Sequence, residues 1–291
     1  MRTLLQTVEK VVDHDVSILI LGESGSGKDH LAEAIHATSA RRGGPLVRID
    51  CAAIPPELFE AELFGYERGA FTDAQSRKIG RLELAQRGTI YFDEIAALAP
   101  TVQAKLLRAI QEKRFTRLGG NQLIDVDTRV ISSSSADLAD AAAFRRDLLY
   151  RINVVTLTVP PLRERREDIA ALARQFLARR KRGIDDAAMR MLVEHAWPGN
   201  VRELRNVIER AVLLEESDVI TPASLPHFDG DFVETAARHG WTLDELESRY
   251  IAEVLRQTRS NYSKAAAILG INRKTLLEKR RKYGIESRAN R

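Results

Sequence analysis

A glycine-rich turn ending in a lysine is the first group of residues able to do chemistry. In LILGESGSGKDH, residues 19–30, Gly22 is followed by four residues and then by Gly27 and Lys28. That spacing lets backbone N–H groups and a helix N-terminus face phosphate oxygens while Lys28 reaches the outer ones. Glu23, Ser24, Gly25 and Ser26 complete the turn, and glycine is needed where a side chain would block the approach. With no ligand, the same pattern is a plain strand-to-helix turn. Asp29 stands where such loops commonly carry a Ser or Thr on magnesium, so the metal would need another holder.

A second group is acidic. Asp93 and Glu94 follow the strand-like run Thr89–Phe92. Behind a phosphate loop, Asp93 would hold magnesium, directly or through water, and Glu94 would polarise the attacking water as general base. Standing alone, such a pair would read as a helix N-cap. Phosphoryl transfer also calls for a cation aimed at the terminal phosphate. FRRDLLYRINVV offers Arg145 and Arg151, far enough along the chain to belong at a subunit edge, with structural ion pairs as their competing role.

Alternating strands and helices must position these groups. Strands are expected at Val16–Leu21, Leu46–Ile49, Thr89–Phe92, Arg129–Ser132 and Val154–Val159, with helices from Thr3 to Val12, after Lys28, and from Thr101 to Lys113. The stretch 64–88 reads as helical pieces interrupted by Gly65, Gly69 and Gly80. This alternation predicts an α/β fold with a parallel, doubly wound sheet, whose ligands sit beyond the C-terminal strand ends. The P-loop, Asp50, Asp93, Glu94 and Ser134 should therefore converge. The α/β part is expected over 1–160, a helical lid over 161–228, a linker over 229–240, and a last all-α unit over 241–291.

Composition narrows the class. Of 291 residues, 44% are hydrophobic and 30% charged, no long uncharged apolar stretch exists, and MRTLLQTVEK lacks a signal peptide's apolar core. Cys51 is the only cysteine, which excludes an internal disulfide framework and fits a cytoplasmic protein. The six histidines lack metal-ligand spacing. Charge is uneven: residues 241–291 carry 12 Lys+Arg against 6 Asp+Glu, leaving 33 against 35 for the rest. A basic tail on a near-neutral body points to nucleic acid.

The blocks GESGSGKD, ELFGYERGAFTDA, QAKLLRAIQEKRFTRLGG, FRRDLLYRINVVTLTVPPLRERREDI and WPGNVRELRNVIERAVLL closely resemble the AAA+ domain of bacterial enhancer-binding proteins, the activators of sigma-54 RNA polymerase. The resemblance implies ATP and magnesium as cofactors, bound between protomers of a ring, typically a hexamer. It implies Walker A over Gly22–Asp29 with an acidic last position, Walker B at Asp93 and Glu94, Arg145 and Arg151 reaching a neighbour's nucleotide, and Arg202 as the lid's sensor arginine. Gly69, Ala70, Phe71, Thr72, Asp73 and Ala74 resemble the loop that touches sigma-54, with Phe71 and Thr72 as contact residues. Asp73 replaces a glycine there, adding a charge and a residue that tolerates positive φ less well.

Two further positions depart from the family pattern. Asp50 replaces an asparagine that resembles the partner of the hydrolytic glutamate, and a carboxylate there would repel Glu94. Ser134 and Ser135 replace the usual Thr and Asn sensor, and the segment from Leu138 to Phe144 is shorter than usual.

The tail SNYSKAAAILGINRKTLLEKRRKYGI resembles the same family's Fis-type helix-turn-helix. Its first helix would span Tyr262–Leu269, with Gly270 at the turn and Asn272 capping a recognition helix that ends near Tyr283. Arg273, Lys274 and Thr275 would meet base edges, and Lys279, Arg280, Arg281 and Lys282 would sit on phosphates. The resemblance implies sigma-54 RNA polymerase and upstream enhancer DNA as partners, with dimers on DNA. The competing reading is a DNA-binding regulator whose nucleotide fold serves assembly and does not drive sigma-54. Because the sequence starts almost at the ATPase domain, control would come from a separate regulatory protein or from chain preceding this piece.

Overall fold

The computed structural model describes residues 2–139, 143–178, 180, 182–226, 228, 240–258 and 261–285. The chain divides into two compact units, residues 1–226 and 227–291. All but the last residue of the expected 229–240 linker lies outside the described residues, as do residues 140–142 of the short segment before Phe144.

The first unit opens with α1 (Arg2–Val11), β1 (Ile18–Leu21), α2 (Lys28–Thr38), β2 (Leu46–Asp50) and α3 (Pro56–Phe64). It continues with β3 (Gly65–Tyr66), β4 (Lys78–Ile79), α4 (Arg81–Leu84), β5 (Thr89–Asp93), α5 (Pro100–Glu112), β6 (Arg114–Thr116) and β7 (Leu123–Asp125). β8 (Arg129–Ser134), α6 (Arg146–Ile152) and β9 (Val155–Thr158) complete the α/β part. The central five-stranded sheet has the order β2-β5-β8-β1-β9, with every neighbouring pair parallel. Strand alternation sorts the core into two layers. Ile90 and Phe92 face α3 and α5 among Leu63, Leu82, Leu106 and Ile152, whereas Tyr91 faces the other layer with Ile18, Ile20 and Ile35. Arg129, buried in β8, donates to the carbonyls of Val11 (2.9 Å) and Val12 (2.7 Å), which closes the end of α1.

Two local expectations change. Residues 64–88 hold little helix: β3 and β4 pair antiparallel, and after Phe64, which ends α3, only Arg81–Leu84 is helical. The reason is long-range, because β3 also bridges Leu118 beyond β6, so the segment is ordered by its partner rather than by its own periodicity. β8 runs two residues further than expected, so Ser134 ends the strand instead of following it.

The lid comprises α7 (Arg166–Ala178), β10 (Gly183–Ile184), α8 (Asp186–Glu194), α9 (Asn200–Leu214) and β11 (Val219–Ile220). Trp197 is fully buried and donates to the Leu192 carbonyl at 2.7 Å. That contact fixes the Trp-Pro-Gly-Asn turn that starts α9.

The second unit packs α10 (Leu243–Gln257), α11 (Tyr262–Leu269) and α12 (Arg273–Lys282) around Ile251, Val254, Leu255, Ala265, Ala266 and Leu276. Gly270 takes φ 66° at the turn, and Asn261 and Asn272 cap their helices by accepting from the Lys264 and Thr275 amides.

Candidate functional site

The P-loop lies between β1 and α2. Gly27 sits at φ 102°, a conformation glycine adopts without the cost other residues would incur, and α2 begins at Lys28. Lys28 is 5% exposed, so its ammonium needs partners. Its Nζ donates to the Gly22 carbonyl at 2.8 Å and pairs with Glu94 Oε1 at 2.9 Å.

Glu94 is held from three directions. Its backbone is left-handed at φ 53°, its N–H donates to Ser133 Oγ at 3.1 Å, and Oε2 accepts from the Ser135 amide and hydroxyl, each at 2.9 Å. The residue precedes a short 3-10 turn, yet its carboxylate makes no capping bond there. The carboxylate is thus directed to Lys28 and not to the end of the 3-10 turn.

Asp93 and Asp29 share one arginine. Arg48 Nη2 donates to Asp29 Oδ2 and Asp93 Oδ2, both at 2.7 Å. The Tyr91 hydroxyl lies 2.9 Å from Asp29 Oδ1 and 3.2 Å from Asp93 Oδ1, and Ser133 Oγ donates to Asp93 Oδ1 at 2.8 Å. Burial works against the Asp93 charge, but the hydrogen bonds from Ser133 and Arg48 prevail and hold its carboxyl below the usual carboxylate range. Burial also pushes the Tyr91 hydroxyl up, keeping it a neutral donor.

These donors fit magnesium. The ion takes one or two carboxylates and fills its remaining positions with water and substrate phosphates, and two carboxylates already converge on a cationic nitrogen here. Among the described residues there is no cluster of three or more His, Cys, Asp or Glu that could hold a metal by itself.

The lid grips the P-loop from outside. Val201 N–H donates to the Gly25 carbonyl (3.0 Å), Asn200 Nδ2 to the Ser24 carbonyl (3.1 Å), and Arg165 Nη2 to the Ser26 carbonyl (2.5 Å). Arg202 Nη1 donates to Ser24 Oγ at 2.9 Å, and a Cβ at Gly25 would meet the Gly199 carbonyl at 2.5 Å. Glu23 receives Arg163 (2.5 and 2.8 Å) and Asn200 (3.0 Å), contacts that lower its pKa to about 2. Asn200 is fully buried at φ 54°, and its Oδ1 accepts from the Leu162 amide at 2.8 Å. A cleft of about 650 Å³ lies between loop and lid, lined by Ser24, Ser135, Gly199, Arg202, Asn206 and Arg210.

The other expected residues are placed as follows. Asp50 Oδ1 accepts from the Ala52 and Ala53 amides (3.0 and 3.1 Å), and no hydrogen bond or ion pair joins it to Glu94 among the described residues. Ser134 Oγ turns to the Ala136 carbonyl, so Ser133 and Ser135 contact the acidic pair. Arg145 is exposed and pairs with Asp147 at 2.7 Å, and exposed Arg151 reaches the Ile110 carbonyl at 3.4 Å. Neither is bonded to the P-loop. Motif spacing does not mark Arg48, Tyr91, Ser133, Arg163, Arg165 or Asn200, which join the site through strand register and the lid.

The loop from Gly69 to Ala74 is anchored at both ends. Gly69 N–H donates to the Ala74 carbonyl at 2.8 Å, Ala74 is buried, and Phe71, Thr72 and Asp73 are exposed. Phe71 rests edge-on against Tyr66, ring centroids 4.8 Å apart, while staying 43% exposed. Asp73 is not among the residues with positive φ, so the backbone strain expected of it is absent, and what it adds to the loop is an exposed, charged side chain. Beneath the loop, Arg117 is 4% exposed and pairs with Glu67 and Glu83, each at 2.7 Å.

In the second unit Arg273 and Lys274 are exposed and Thr275 half-buried at the start of α12. The expected phosphate row divides. Lys279 pairs with Glu247 (2.7 Å), Arg280 donates to the Tyr262 hydroxyl (2.8 Å) and the Ile285 carbonyl (3.0 Å), and Lys282 pairs with Asp244 at 3.1 Å. Acidic residues of α10 face α12 and engage Lys279 and Lys282 within the unit, while Arg281 is exposed.

Comparison with known proteins agrees with this architecture. Residues 1–158 match the sigma-54 interaction domain, 163–238 an AAA+ ATPase lid domain, and 242–283 the bacterial regulatory protein, Fis family, domain. The transcriptional regulatory protein ZraR of Klebsiella oxytoca is 47% identical over 96% of this chain and 66% of its own length. Regulatory protein AtoC of Escherichia coli is 43% identical over 98% of this chain and 66% of its own. The chain thus spans just under two thirds of these relatives. NtrX from Brucella abortus, solved with ADP, is 34% identical with a TM-score of 0.72 over 98% of this chain and 68% of its own; its ATP complex gives 36% and 0.71 over the same shares. Hsp104 of S. cerevisiae, 19% identical with a TM-score of 0.53 over 73% of this chain and 44% of its own, shares the fold alone.

P-loop, acidic strand end, parallel sheet and helical lid define an AAA+ ATPase domain, and the Fis-type helix-turn-helix adds a DNA-binding module. The chain belongs to the bacterial enhancer-binding protein family of sigma-54-dependent transcriptional regulators.

Proposed function

We propose that this protein hydrolyses ATP with magnesium and uses the cycle to remodel the closed complex of sigma-54 RNA polymerase while bound to upstream DNA. The observation that carries this reading is the convergence of Lys28, Asp93 and Glu94 at the P-loop, where Lys28 pairs with Glu94, which phosphate can replace, and Asp93 pairs with the cation Arg48. Bound phosphate would take Lys28 and release Glu94 toward water. Arg145 and Arg151, exposed and apart from their own P-loop, suit a neighbouring protomer's nucleotide in a ring, with the hexamer as the expected size. The functional division remains 1–160, 161–228, 229–240 and 241–291, in a cytoplasmic protein whose described helices include none long and apolar enough to cross a membrane.

Phe71 is the mechanical end of the cycle. Exposed aromatic anchors contribute about 2 kcal/mol or more to a contact, so Phe71→Ala should weaken sigma-54 binding about 30-fold. ATP turnover should persist in this variant while open complexes vanish. Loss of both together, or of neither, would contradict the assignment. The exposed Asp73 charge favours a second reading, a regulator that no longer drives sigma-54. If open complexes form only after Asp73→Gly, that reading holds; if the unaltered protein forms them, it fails.

On DNA, Arg273, Lys274 and Thr275 are proposed to read bases and Arg281 to neutralise a phosphate. Arg273→Ala should cost about tenfold or more in affinity and relax specificity at one position, while Arg281→Ala should weaken all sequences alike and lower the salt slope by about 1. Lys279→Ala should instead act through the Glu247 contact and lower thermal stability. Binding measured between 50 and 200 mM salt, together with melting curves, separates the three.

A further inference from the structure

β2 and β5 run in a register that sets Arg48 beside Tyr91 and Asp50 beside Asp93. Side chains two residues apart share a sheet face, so Arg48, Tyr91 and Asp93 lie together on the side occupied by the start of α2. There one nitrogen, Arg48 Nη2, donates to both Asp29 and Asp93 at 2.7 Å, and the guanidinium carbon lies 5.7 Å from the Tyr91 ring centroid. Asp93 is 14% exposed, Asp29 30% and Arg48 44%. Two carboxylates are thus drawn together at a half-enclosed point by a cation whose long stem reaches solvent. Without a cation between them, their mutual repulsion would be left to the neutral Tyr91 and Ser133 hydroxyls that also reach these carboxylates.

Magnesium held by Asp93 would need the oxygen that Arg48 now engages. We propose that Arg48 is a tethered counter-ion, exchanged for magnesium when nucleotide loads. Through its two contacts it keeps Asp29 and Asp93 assembled. On loading it must release Asp93 Oδ2, so it sets the magnesium concentration at which the pocket accepts metal-nucleotide. Its role is positioning and gating. This inference rests on the phosphate-binding reading of the pocket, and is independent of sigma-54 remodelling.

Binding of a fluorescent ADP analogue, followed as free magnesium is raised from zero in EDTA, tests the exchange without any turnover. Arg48→Met keeps the stem and removes the charge, and Arg48→Lys keeps the charge on a narrower head. For Arg48→Met the half-saturating magnesium should fall about threefold or more, and Arg48→Lys should lie between it and the unaltered protein. Metal-free binding should weaken in Arg48→Met, because two uncompensated carboxylates then face the phosphates. Manganese binding to nucleotide-free protein, read by electron paramagnetic resonance, should be stronger in Arg48→Met than in the unaltered chain.

A magnesium dependence unmoved in folded Arg48→Met, with analogue still bound, overturns the counter-ion role and leaves the phosphate site standing. A protein that binds no analogue at any magnesium concentration overturns the phosphate site, and this proposal with it. Melting curves establish that the variants are folded, and Arg48→Lys supplies the milder change if Arg48→Met is not.

Discussion

Glu94→Gln is expected to lower ATP turnover by about 10²–10⁴-fold while nucleotide still binds. The amide can keep the Ser135 hydrogen bonds, which reach Oε2, and the Ser133 bond, which reaches the backbone, so its position should hold. What is lost is a basic oxygen able to draw a proton from water. A second effect separates this from simple disruption. Lys28 is paired with Glu94 at 2.9 Å, so nucleotide must displace that ion pair to recruit the lysine. An uncharged amide competes less for Lys28, and affinity for ATP should rise about two- to fivefold. Turnover per protomer and equilibrium binding of a fluorescent ATP analogue give the two numbers. A variant that loses binding together with turnover would place Glu94 in holding the fold of the P-loop instead.

The same ion pair shows why only part of the site was legible in the sequence. The P-loop, the acidic pair, the exposed loop and the helix-turn-helix are contiguous motifs, each imposed by local geometry, and each lies where strand, turn and helix spacing put it. Arg48, Tyr91 and Ser133 belong to three separate strands, and only the register of β2, β5 and β8 brings them to Asp93. Asn200 and Arg163 lie more than 130 residues from Glu23, so nothing local marks them as its partners. The internal partners of the cations on α12 escape the sequence for a related reason. Periodicity displays Lys279, Arg280 and Lys282 as cations, but it is the packing of α10 and α11 that supplies Glu247, Tyr262 and Asp244. Residues 64–88 misled because a two-residue strand pair is too short to show alternation and is ordered by Leu118, far along the chain.

The grip of the lid on the P-loop links these distant residues to a cycle. Carbonyls of Ser24, Gly25 and Ser26 all accept from lid-side donors, while those of Gly22 and Glu23 accept from Lys28. A phosphate that recruits Lys28 therefore changes the same turn that Asn200, Val201 and Arg165 hold. The arrangement supports transmission between nucleotide and lid with few intervening bonds. Glu23 stays ionised well into acid, because Arg163 and Asn200 hold its pKa near 2, below the ordinary 4.5. A carboxyl with a depressed folded pKa contributes stability that is complete above 4.5 and is lost as pH falls through 2. Between pH 7 and 5 this contact should not respond to pH.

At the other end of the path, Arg117→Ala is expected to destabilise the first unit by about 3 kcal/mol and to lower its melting temperature by about 6–12 °C. Arg117 is almost fully enclosed, and it compensates Glu67 and Glu83 at 2.7 Å each. Removing it strands two carboxylates; because both retain some solvent, the cost falls toward the lower end of the range for broken buried pairs. The loss is local to the exposed loop. Glu67 N–H donates to the Leu118 carbonyl at 3.0 Å, Leu118 N–H to the Gly65 carbonyl at 3.0 Å, and the backbone at Gly119 lies so close to Ala70 that an added Cβ would come within 2.7 Å. Arg117 thus holds the bed on which Gly69–Ala74 rests, and with it the base beneath Phe71. Open-complex formation should fail in Arg117→Ala at a temperature where the unit remains folded, while ATP turnover, whose residues Arg117 does not touch, should fall far less. Arg117→Lys, which keeps the charge but loses the planar fork, should lie between. Equal losses of turnover and remodelling would mean that the whole domain has loosened; a melting point within 1 °C of the unaltered protein, with remodelling intact, would remove Arg117 from the path altogether.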